Sequence, residues 1–186
     1  MTNAWSFLVR RTVSAFLLCW LLSISLATIF RAVAKDPASQ SIEELEHGIE
    51  NQHPATFYVL AGKPFVAGQK QEAVFWFYLG QLRYRVYLAA NKGNPSGDPA
   101  LFASLSEEVG RPINEYAFGD IPELAKTIDA VIAWDRSHPN QLTPYGKYRS
   151  EYKEIVAGLV RLRDYILHNA DSIRKTRAAN HLENRS

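Results

Sequence analysis

The sequence predicts an all-α protein, either a helix-pair array or an irregular helical bundle, preceded by an N-terminal signal or anchor helix. Three observations carry this. Beyond residue 35 the apolar residues recur at intervals of three and four, with little of the alternation that a half-buried strand requires. Gly, Pro, Ser and Asp interrupt that pattern roughly every ten to twenty residues with the chemistry of helix caps and breaks. The first 34 residues follow the basic, apolar and small-residue order of an export leader.

In the leader, Arg10 and Arg11 precede a charge-free run from Val13 to Phe30, and small residues follow at Ser25-Leu26-Ala27 and Ala32-Val33-Ala34. The domain expectation is therefore a signal peptide at 1–34 and a single all-helical domain at 35–186, with a basic, partly frayed C-terminal tail. At about 1.5 Å per residue the run is also long enough to span most of a bilayer core, and the alternative expectation is an uncleaved inner-membrane anchor at residues 13–30. Either reading exports the body, to the periplasm in a bacterium. Cys19, inside the leader, is the chain's one cysteine. A small secreted domain of a higher organism would be expected to rely on disulfides, so a periplasmic body fits better.

The body then reads as follows. Ser41 caps a segment running to about Asn51, with Glu44 completing a capping box and Ile42, Leu45 and Ile49 on one stripe. His53-Pro54 ends it. From Gln69 to Asn91 the apolar residues fall on two arcs of a helical wheel, separated by Gln81 and Arg85 on one side and by Arg83 on the other, as a helix sandwiched between two layers requires. Asp98 and Pro99 supply an N-cap and first-turn proline for a helix carrying Leu101, Leu105 and Val109, broken at Gly110 and Pro112. A short piece follows to Phe118. Asp120 and Glu123 cap a helix that buries Ile121, Leu124, Ala125, Ile128, Val131 and Ile132. After a loop from Pro139 to Pro144, a last long helix carries Tyr148, Tyr152, Ile155, Leu159, Leu162 and Ile166, with Ile173 continuing the stripe.

Charge excludes one class of partner. Of 21 basic residues, Arg10, Arg11 and Arg31 belong to the leader, and none of the 19 acidic ones does. The body is near neutral and lacks the global field that nucleic acid binding needs, so no nucleic acid is expected. Its ends differ in sign, acidic from Asp36 to Glu50 and basic from Arg161 to Arg185, which suits solvated helix faces, a contact between the ends or a docking surface.

Between Ala55 and Gly80, the residues Ala55, Tyr58 and Ala61, then Gly68, then Glu72-Ala73, Trp76, Tyr78 and Gly80 resemble a Sel1-like repeat, a relative of the tetratricopeptide helix pair. Small residues let two helices approach and aromatic residues fill the groove between them. The resemblance covers about one repeat. It implies helix-pair architecture and a protein-binding role, and the small exported bacterial members of this class include immunity proteins that neutralise toxins reaching the periplasm.

Nothing in the pattern of residues demands catalysis. His47, His53, His138, His168 and His181 are scattered, so neither a metal site nor a cofactor is expected. No nucleophile elbow or phosphate-cradling glycine loop is present. Glu115, in a short helical piece, is the one acid that invites an alternative: a peptidoglycan-active enzyme using it as general acid. The leading expectation is a non-enzymatic, exported protein-protein interaction module, an immunity or adaptor protein, which touches a membrane only through the leader if that remains. Arg83, Tyr84, Arg85, Tyr87, Trp134 and Asp135 are its candidate binding residues. Arg83 and Arg85, inside an apolar helix, require carboxylate or carbonyl partners if buried, with Asp120, Asp129 and Asp135 as candidates; otherwise they form a binding edge.

Overall fold

The computed structural model describes residues 36–93 and 96–186. The leader, and with it the expected signal or anchor helix, lies outside the described residues. All the regular structure within them is helical, and none of these helices is long and apolar enough to cross a membrane.

Helix α1, Ile42–Glu46, opens with the expected capping box: Glu44 N donates to Ser41 Oγ at 3.1 Å and Ser41 N to Glu44 Oε2 at 2.9 Å. The expected run to Asn51 is divided at Gly48, whose φ of 75° starts a short 3-10 turn over Ile49–Asn51. That turn keeps both Leu45 and Ile49 in the core.

Helices α2, Ala55–Val66, and α3, Lys70–Ala90, form a tight pair joined at Gly68, which has a φ of 87°. The closeness has a visible cause. A Cβ on Gly80 would lie 2.9 Å from the Cβ of Phe57, so only hydrogen at that position lets the helices approach this far. Helix α3 is the central element: from Ala73 to Tyr84 every residue is buried except the half-buried Phe75. Both apolar arcs find a layer to cover, and Trp76, 8% exposed, fits among Phe57, Phe75 and Trp134.

Helix α4, Asp98–Leu105, starts at Asp98 itself rather than after it. The expected inward face is also corrected. Leu101 is exposed, and Phe102 turns inward instead, against the rings of Tyr58 and Tyr84. The break expected at Gly110 and Pro112 is replaced by a π-helical turn, Ser106–Gly110, that runs straight into α5, Arg111–Ala117. Gly110 serves packing here: a Cβ would meet the Phe77 ring at 2.6 Å. Pro112 falls in the first turn of α5, where a missing N–H is tolerated.

Asp120 caps α6, Ile121–Ser137, by accepting from Glu123 N at 3.1 Å, and the six apolar residues expected to be buried in this helix are buried. Helix α7, Arg149–His168, packs on α6 and α3 through Tyr152, Leu159 and Ile166. Asn169 separates it from α8, Ala170–Ala179.

The C-terminal tail, which the sequence leads one to expect basic and partly frayed, makes several contacts with the body. Arg185 N donates to Gly119 O at 2.7 Å and its guanidinium lies 3.6 Å over the Tyr116 ring, while buried Arg177 donates to Glu183 O and Asn184 Oδ1.

Candidate functional site

Helix geometry separates the two arginines that the sequence groups together. Residues two apart on an α-helix point about 200° apart, so Arg83 and Arg85 leave opposite faces of α3. Arg83 faces α6 and is 2% exposed. Its Nε donates to Asp135 Oδ1 at 2.9 Å and its Nη2 to the His138 carbonyl at 2.7 Å. Of the three candidate partners the structure selects Asp135, because α6 brings Asp120 and Asp129 to other places along its length. The guanidinium also lies 5.0 Å from the Trp134 ring and 5.5 Å from that of Phe57. Burial pushes the Asp135 carboxyl above the ordinary aspartate value, with Arg83 and then His138 opposing that shift. Arg83, Trp134 and Asp135 thus form one internal cluster, and the first and last of these spend their charges on each other.

Arg85 points the other way, is exposed, donates through Nε to Gln81 Oε1 at 3.1 Å and lies over the Phe102 ring. Tyr84 is fully buried, with its hydroxyl 3.3 Å from both the carbonyl and the carboxylate of Asp98, and burial first, then Asp98, raises its pKa. Tyr87 is half-buried and packs edge-on against the His53 ring. The six candidate residues therefore belong to different places, and they do not form one edge. Glu115 is exposed on α5. No cluster of three or more His, Cys, Asp or Glu side chains suited to a metal occurs among the described residues.

What the tertiary structure adds is a groove of about 910 Å³ beside the Arg83 cluster, between the C-terminal end of α6, the loop after it, and α7. Its floor comes from Tyr152, Val156, Ala157 and Val160 of α7, and the exposed Pro139 and Pro144 of the loop add apolar lining. Its rim carries Arg136, Arg149, Lys153 and Arg161. All four are exposed, and none is ion-paired among the described residues. The one lining carboxylate is Asp135, which Arg83 already engages.

The loop is well braced. Asn140 Nδ2 donates to Tyr152 Oη at 2.9 Å, and Asn140 Oδ1 accepts from the backbone N–H groups of Leu142 and Thr143. Gln141 N donates to Glu50 O. His138 stacks on Trp134 with centroids 3.8 Å apart and planes 5° apart. One lip is therefore preformed, and on it Tyr145 stands 58% exposed, its ring 5.5 Å from that of Tyr152.

Sequence reasoning missed this site, though its signal is present. Beside the core stripe of α7 runs a second one, Arg149, Lys153, Val156 and Val160, spaced four, three and four residues apart. The acids Glu151 and Glu154 fall off this stripe, and Glu154 lines a neighbouring cleft of about 690 Å³ with Arg85 and with Arg161, which borders both that cleft and the groove.

Comparisons with known proteins add little to this geometry. No family model matches the chain, and no solved structure matches it. An uncharacterized protein of Haemophilus influenzae is 29% identical over 89 residues, which is 48% of this chain and 35% of that protein. The chain thus matches about a third of that relative's length.

Proposed function

We propose that this chain is an exported, non-enzymatic module that binds another protein, most concretely an immunity protein acting in the periplasm and more generally a cell-envelope adaptor. The observation that carries the reading is the groove between α6 and α7. An apolar, aromatic floor gives a partner surface to bury, and four cations without carboxylates give it directional contacts at the rim. The braced loop lowers the ordering cost of binding. The tight α2–α3 pair, turning at Gly68 and closing at Gly80, supports the Sel1-like resemblance and with it a binding role.

The test uses the full-length exported protein with a photo-crosslinking residue in place of Tyr145. A protein partner should be trapped in envelope preparations, lost when Ala157→Trp fills the groove, and retained in Glu115→Gln. Release of muropeptides by the wild type but not by Glu115→Gln would overturn the reading and assign the chain to peptidoglycan chemistry.

A further inference from the structure

We infer that the segment this groove receives is acidic and amphipathic, with carboxylates flanking two or three apolar side chains; this rests on the protein-binding reading above. The argument is one of complementarity. Arg149 and Lys153 sit one turn apart at one end of the α7 wall, and Arg161 lies two turns beyond Lys153 at the other end. Between them Val156, Ala157 and Val160 present no charge. Arg136 supplies a cation from the opposite wall. From Arg149 to Arg161 the wall is about 18 Å long at 1.5 Å per residue. An extended peptide covers that distance with about five or six residues, at roughly 3.3 Å each.

The groove has no carboxylate of its own to offer a cationic segment. Asp135 lines it, but its side chain is 5% exposed and bonded to Arg83. A basic partner would meet four uncompensated like charges, and a wholly apolar one would leave the rim without counter-charges. A carboxylate at each end and apolar side chains between satisfy both parts of the surface. A long polyanion does not fit as well, because the charge is confined to the rim and the floor is apolar.

The probe is a displayed library of random 12-residue peptides, selected on the immobilised full-length protein. The enriched sequences should carry Asp or Glu on both sides of an apolar core. Their binding should weaken with added salt and fall at least about tenfold for the Arg149→Glu, Lys153→Glu double variant. Replacing the peptide carboxylates by Asn and Gln should cause a loss of similar size. Circular dichroism matching the wild type keeps the variant interpretable. Enrichment without excess acid, or acidic peptides that bind the double variant equally well, would overturn the inference. So would displacement of the peptides by soluble short-chain phosphatidylglycerol at equal concentration, which would give the groove to an anionic lipid. If the partner trapped through position 145 persists while the library shows no preference for acid, the binding-module reading stands and this inference alone falls.

Discussion

Helices α3 and α7 are nearly equal in length, 21 and 20 residues, and both carry arginines among apolar residues, yet they treat charge differently. Helix α3 is enclosed, and its Arg83 has a carboxylate, a carbonyl and two aromatic faces around it. Helix α7 buries a single stripe; its Arg163 pairs with Asp129 and Asp164 at the surface, while Arg149, Lys153 and Arg161, beside that stripe, have no carboxylate partner among the described residues. In a dry interior an unpaired charge is prohibitive, so pairing is a condition of folding. In water an unpaired cation costs little, and it remains available to another molecule. The buried, paired Arg83 is therefore structural, and the exposed, unpaired cations of α7 are where binding is to be sought.

The largest effect expected from this contrast is on stability inside α3's layer. Asp135→Ala leaves the Arg83 charge buried and uncompensated and should cost about 3–5 kcal/mol in urea unfolding. The Arg83→Leu, Asp135→Leu double variant should recover most of it, since no charge is then left behind. A single-variant loss below about 1 kcal/mol would break the comparison. Trp76→Ala, which removes an indole that is 8% exposed, should fall in the same range of about 3–5 kcal/mol.

A smaller loss of about 1–3 kcal/mol is expected for Gly80→Ala, because the new methyl meets the Cβ of Phe57 at 2.9 Å and that atom cannot move without its backbone. An unchanged unfolding midpoint would mean that the α2–α3 pair opens freely. On α7 the Arg149→Glu, Lys153→Glu variant should stay within about 0.5 kcal/mol of wild type in stability, even as peptide binding falls. A large loss of stability would show that these cations hold the fold and would remove their claim to a partner.

The subtlest expectation concerns acid. The folded Asp135 carboxyl binds its proton more tightly than it does in the unfolded chain, because burial raises its pKa. Its contribution is therefore fully present below the ordinary value of about 3.9 and is lost as pH rises through the raised folded value. The stability of wild type relative to Asp135→Asn should fall with rising pH over that window. A difference that grows with pH would show that the Arg83 field outweighs desolvation.

The helices themselves were legible in the residues. Ser41 with Glu44 and Asp120 with Glu123 mark starts that backbone hydrogen bonds then satisfy, and the two arcs of α3 foretell a helix covered on both sides. Caps and periodicity are local properties, set by neighbours within about four residues, so the sequence contains them outright. The break expected at Gly110 failed for a tertiary reason. That glycine answers to the Phe77 ring, a neighbour in space and not in sequence.

The same division governs the site. The sequence alone established that Arg83 and Arg85 sit unusually among apolar residues and that a carboxylate had to answer any buried one. Only packing decided that Asp135 answers Arg83, that Arg85 points away from it, and that Arg136, Arg149, Lys153 and Arg161 gather on one groove. Burial and opposition across a groove depend on how helices distant in sequence are docked, and one-dimensional spacing fixes which side of its own helix a residue occupies but not what stands across from it.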